Sequence, residues 1–117
     1  MIKVSIDEAS TFDILSILLI KTHKSADSQH VKNYINFVAD IKDEIGLEKL
    51  YQVMNSAEFA DLRAANVKVF DGVNLAKTND ILASELDTLN HQRYICKQKI
   101  QNKFFGNNLT EQKIGYE

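Results

Sequence analysis

The chain of 117 residues contains no proline and only four glycines. Proline is the strongest breaker of a helix interior, because it removes a backbone donor and its ring collides with the preceding turn. Its complete absence permits long helices almost anywhere. Apolar residues recur at three- and four-residue spacing through most of the sequence, which is the period of a helix with one buried face. The expectation is an all-α fold: a bundle of four main helices with a long antiparallel helical hairpin and a short N-terminal extended segment. Residues 1–117 are read as a single helical domain, since a chain of this size builds one hydrophobic core and no more.

Composition narrows the function classes. With 44% hydrophobic and 26% charged residues, the chain reads as an ordinary globular domain. Fourteen Lys and Arg stand against sixteen Asp and Glu, a formal charge of -2, and this balance argues against a nucleic-acid partner on electrostatic grounds. The single cysteine, Cys96, can form no internal disulfide and has no second thiolate with which to hold a metal. The longest apolar run, Ile17 to Ile20, is far shorter than the roughly twenty residues a bilayer requires. Only Lys3 precedes the first acids, Asp7 and Glu8, so the pattern of a secretory signal is missing. The expectation is a cytoplasmic protein with no membrane partner.

Along the chain, Ile2, Val4 and Ile6 alternate with polar residues as a short strand would. Asp7 or Ser10 then caps a very apolar helix, Phe12 to Lys24, which must be covered on more than one side and is expected to be the most buried element. Ser25 to Ser28 form a turn and a new cap. Val31, Tyr34, Ile35, Val38, Ile41 and Ile45 trace the second helix, which Gly46 ends. Leu47, Leu50, Tyr51 and Met54 add two turns before a break at Asn55 and Ser56; one bent helix or two would satisfy this pattern. The third long helix carries Phe59, Leu62, Asn66, Val69, Phe70 and Val73 to about Ala76, through Gly72. Thr78, Asn79 and Asp80 precede the last helix, on which Leu82, Leu86, Leu89, Arg93, Cys96, Ile100 and Phe104 share a face up to Gly106. The two ends, Ile2 to Ile6 and Leu109 to Ile114, are expected to lie against each other.

Arg93 stands out because it shares a face with Leu89, Cys96 and Ile100. A guanidinium aimed at a core needs a carboxylate or a bound anion. Asp13 and Asp71 are the candidate partners, and a structural ion pair is the ordinary reading beside the ligand-anchoring one. Asn66, set among Leu62, Val69 and Phe70, is read as a buried amide that fixes helix register. The stretch from Asn90 to Lys103 holds Arg93, Lys97, Lys99 and Lys103 without an acid; phosphate binding is one reading, and cations favoured by a helix C-terminus the commoner one. Asp40, Asp43, Glu44, Glu58 and Asp61 are similar to the paired acids with which helical nucleotide pyrophosphohydrolases hold magnesium. Lys42 interrupts the first group, however, and solvated helix faces carry such charges routinely. His23, His30 and His91 share no metal-ligand spacing, and no cofactor or metal is expected.

Three blocks resemble an uncharacterised family of small helical proteins of bacteria and tailed phages, described only as a domain of unknown function. The first is Met1 to Val4 with Asp13, Ile17-Leu18 and Ile20-Lys21, similar to a start in which Asp precedes an Ile-Leu-x-Ile-Lys stretch. The second is Leu62, Asn66 and Phe70-Asp71, where the family has Asn followed by Trp-Asp. The third is Asn90, Arg93, Lys97 and Ile100 followed by Glu111, Lys113 and Tyr116, resembling an Asn-Asp-x-Arg helix and a closing Glu-Glu-Lys-x-Tyr. Ile14, Phe70, Val73, Asn74 and His91 depart from the pattern. The resemblance implies an accessory role, since some members accompany surface-sugar glycosyltransferases, and it assigns no activity.

Two function classes follow. One is a non-enzymatic interaction or assembly protein, a homo-oligomer and most simply a dimer, with room for a further protein partner. The other binds a small anion through Asp13, Asn66, Asp71, Asn90, Arg93 and Lys97, with a magnesium-dependent hydrolase as its more distant variant.

Overall fold

The computed structural model describes residues 5–78 and 83–106, and these form five α-helices: α1 Glu8–Lys24, α2 Ser28–Ile45, α3 Leu47–Met54, α4 Ala57–Lys77 and α5 Ala83–Ile100. A π-helical turn, Gln101–Phe105, extends α5. No strand occurs among the described residues. Of the extended segment expected at Ile2 to Ile6, only Ser5 and Ile6 are described, and they belong to no regular element. Asn79, Asp80, Leu82 and the tail with Leu109 and Ile114 lie outside the described residues, as does the expected contact between the two chain ends.

The helix boundaries follow local chemistry. Asp7 caps α1, its carboxylate accepting the Ser10 N–H at 2.7 Å, while Lys21, His23 and Lys24 sit at the opposite end of the helix dipole. The helix therefore begins one turn earlier than the apolar pattern from Phe12 suggests. Asp27 caps α2 in the same way through the Gln29 N–H. Gly46 ends α2 at φ 87° and ψ 157°, a conformation open to glycine almost alone. The residues after it form a separate short helix. Ser56 separates α3 from α4: its hydroxyl donates to the Val53 carbonyl at 2.6 Å and accepts the Phe59 N–H at 3.1 Å. Asn55 and Ser56 thus divide two helices, which settles the bent-or-broken alternative.

Packing centres on α1, which lies against α2, α4, α5 and the π-helical turn. Its pattern required cover on more than one side, and Ala9, Phe12, Leu15 and Ile20 are buried. One flank stays open at Ile14, which is 40% exposed. α4 and α5 form the expected antiparallel hairpin, and α1 and α2 pack as a second antiparallel pair. The core joins Phe12 and Leu15 to Ile41 of α2, Leu50 and Val53 of α3, Phe59 and Leu62 of α4, and Ile100. Phe12 is its hub, edge-on to Phe59 and stacked on Phe105 at 6.0 Å.

Two expected stripes turn out narrower. On α2 only Ile41 is fully buried, and Val31 and Ile35 face solvent, because α2 packs on α1 and α3 along one edge. On α4, Phe59, Leu62, Ala65 and Asn66 are buried, whereas Phe70 and Val73 are exposed and Gly72 takes the inward place. Two steps of three residues run from Asn66 through Val69 to Gly72, leaving Phe70 and Val73 on the shoulder of the helix.

Candidate functional site

The most ordered polar arrangement joins α1, α4 and α5. Asp13 and Ser16 lie one turn apart on the buried face of α1, Asn66 projects from the middle of α4, and Arg93 from the middle of α5. Arg93 grips the Asp13 carboxylate with two donors, Nε to Oδ1 at 3.2 Å and Nη2 to Oδ2 at 2.8 Å. This fork is the geometry in which guanidinium and carboxylate bind best. Asn66 Nδ2 donates to Asp13 Oδ1 at 2.8 Å and to Ser16 Oγ at 2.6 Å, which uses both of its hydrogens. Ser16 Oγ in turn donates to the Asp13 carbonyl at 2.9 Å. The Asp13 side chain is 6% exposed and that of Arg93 30%, so the pair is closed on its carboxylate side and reaches water on the guanidinium side.

The sequence-predicted residues separate on this structure. Asp13, Asn66 and Arg93 come together, and of the two partners offered for Arg93 the structure selects Asp13. Asp71 is engaged elsewhere: Lys24 Nζ donates to it at 3.2 Å on the surface, with the same ammonium 5.4 Å from the Phe70 ring centre. Asn90 is exposed, and its amide donates to the Leu86 carbonyl of its own helix. Lys97, one turn beyond Arg93, is half-buried and makes no ion pair among the described residues. Of the six proposed binding residues, hydrogen bonds join Asn66 and Arg93 to Asp13. Asn66 holds α4 on α1 as the buried-amide reading expects.

Two buried polar residues, Gln101 and Ser16, escaped the sequence reading. Gln101 is completely buried; its Oε1 accepts the Ala9 N–H at 2.9 Å and its Nε2 donates to Glu8 Oε1 at 2.9 Å. A helix start leaves several backbone donors without internal partners, and Gln101 takes one of them for α1 from 92 residues away. The available signal was the four-residue spacing from Arg93 through Lys97 to Gln101, which puts Gln101 near the face from which Arg93 reaches α1. Ser16, by contrast, gave no signal, since a helical serine commonly bonds its own backbone.

The remaining candidates are dispersed. Cys96 is half-buried beside the core, and burial, followed by the nearby charge of Asp61, pushes its thiol up. Glu58 pairs with Lys103 at 3.0 Å, and that hydrogen bond holds its carboxyl below the usual range. Asp40 and Glu44 border a groove on α2. The five acids with the pyrophosphohydrolase-like spacing thus divide between two places, and among the described residues no three His, Cys, Asp or Glu side chains gather as metal ligands. No described helix is long and apolar enough to cross a membrane. Comparison with protein-family models, with curated proteins and with solved structures finds no match in any of the three.

Proposed function

We propose that the protein is a non-enzymatic interaction protein that works by self-association, most simply as a homodimer, in an accessory role. The observation that carries this reading is apolar surface left open in pairs one helical turn apart. Val31 and Ile35 on α2 are 45% and 58% exposed, and Leu47 and Tyr51 on α3 are 48% and 56% exposed. Single exposed apolar residues are ordinary, whereas paired ones on neighbouring helices suit a protein contact. The internal chemistry points the same way. Every buried side-chain nitrogen and oxygen among the described residues already has a partner, so the Asp13 cluster makes no demand for a ligand.

The small-anion reading has one observation in its favour, the solvent-facing side of Arg93 with Lys97 a turn away. Its prediction is a rise in melting temperature with inorganic phosphate that Lys97→Met removes. Light scattering on a size-exclusion column tests the preferred reading: a mass of at least twice 13.3 kDa is expected, and 13.3 kDa at every loading concentration overturns it. Affinity purification followed by mass spectrometry would identify any additional protein partner.

A further inference from the structure

We propose that the groove between the start of α1 and the second half of α2 receives the outer face of α5 from a second copy of this chain. The inference rests on the self-association reading and assigns it a pair of surfaces distinct from the open faces at Val31, Ile35, Leu47 and Tyr51. The groove has a volume of about 360 Å³, an apolar wall formed by Phe37, Ile41 and Ile45, and three carboxylates at its border, Glu8, Asp40 and Glu44. Among the described residues no basic side chain lines it. Glu8 is held by Gln101. Asp40 and Glu44, one helical turn apart, have no side-chain hydrogen bond or ion pair among the described residues, so two negative charges flank apolar surface without a cation.

The complement lies on α5. From Thr88 to Phe105 the chain has no acid. Of the four Lys and Arg in that stretch, Arg93 is bound to Asp13 and Lys103 to Glu58, while Lys97 and Lys99 reach no carboxylate within ion-pair distance among the described residues. Lys99 is exposed one turn beyond Ile95, which is itself 39% exposed. Tyr94 beside it is 37% exposed, its ring stacked with His91 at 6.5 Å. An apolar ridge with a cation one turn on meets an apolar groove with carboxylates one turn apart, which is how an amphipathic helix seats in a groove. Ile95 fills the apolar wall and Lys99 answers Asp40 and Glu44.

Charge selects this occupant over the chain's own C-terminal segment. Residues 107–117 carry Glu111 and Glu117 against Lys113, the wrong balance for an acidic border. Each copy carries one groove and one ridge. Paired twice about a two-fold axis they give a dimer, and paired head to tail they give a ring or chain.

The test is the mass of the full chain by light scattering across a concentration series at low and high salt, with circular dichroism to verify that each variant folds. The wild type is expected to associate, more weakly at high salt. Ile95→Glu, or Asp40→Lys with Glu44→Lys, is expected to weaken association about tenfold or more, a change typical of an interface charge or apolar anchor. Adding Lys99→Glu to the Asp40→Lys, Glu44→Lys variant should restore at least part of it. If Ile95→Glu fails to fold, Lys99→Glu alone, at an exposed position, must still weaken association. A wild type that stays monomeric overturns both this inference and the self-association reading. A wild type that associates while folded variants of groove and ridge associate equally well overturns this inference alone, leaving Val31, Ile35, Leu47 and Tyr51 as the contact.

Discussion

Asp13 gathers three side-chain hydrogen bonds, two from Arg93 and one from Asn66, while being almost wholly removed from water. A carboxylate in that position loses hydration that only these donors replace. Arg93→Met leaves it with the Asn66 amide alone. The expected cost is about 3 kcal/mol, at the low end of what breaking a buried pair costs, because the guanidinium reaches water on one side. Adding Asp13→Asn should cost less than the two single changes summed, whereas Asp71→Asn and Arg93→Met should be additive. Urea denaturation of the single and double variants measures both cycles, and coupling of Arg93 with Asp71 in place of Asp13 would contradict the geometry. The exposed Lys24–Asp71 pair should contribute about 0–1 kcal/mol by the same measurement.

The elements are bounded by devices of different range. Gly46 is a local one: a Cβ there would meet no atom within 4 Å, so the cost of Gly46→Ala comes from its backbone angles alone. Holding alanine in that sparsely populated region should destabilise by about 1–3 kcal/mol, read as a lower urea midpoint. Gln101 is a long-range device, tying the π-helical turn to the first turn of α1. Gln101→Ala strands the buried Ala9 N–H and should cost about 1–3 kcal/mol. Hydrogen exchange distinguishes this from general loosening: the Ala9 amide should lose protection well before amides in the middle of α4. The wider π turn also brings Phe104 and Phe105 together against the core, with Lys49 above both rings at 5.8 and 5.4 Å.

For the whole molecule, stability should form a dome in pH with identifiable flanks. The Glu58 carboxyl is held low in the folded state, first by its hydrogen bond from Lys103. The unfolded chain therefore takes up that proton more readily, and the stabilisation is present above the ordinary glutamate range and lost as pH falls through the lowered folded value. On the alkaline side, burial raises both Tyr34 and Cys96. The folded state keeps those protons longer, so their contribution is present below the ordinary tyrosine and cysteine ranges and lost as pH rises through the raised values. Urea midpoints over a pH series should show both flanks, and Lys103→Met should flatten the acid one. An unchanged acid flank would show that the Lys103–Glu58 pair makes no contribution in solution.

The sequence by itself determined the all-α class, the punctuation at Gly46 and Ser56, the antiparallel α4–α5 hairpin and the burial of Asn66. Each of these is written in residues within a turn or two of one another, where backbone geometry and apolar period decide the outcome. It also required a counter-charge for Arg93, because a guanidinium on an apolar face cannot go unanswered. Only the tertiary structure decided that Asp13 supplies it and that Asp71 turns outward to Lys24, since the two acids differ in which helix flank meets α5 and not in their chemistry. The same holds for Gln101, whose partners lie more than ninety residues away, and for the open faces at Val31, Ile35, Leu47 and Tyr51. An apolar stripe tells which side of a helix avoids water, but how wide a strip its neighbours cover depends on where the other helices settle.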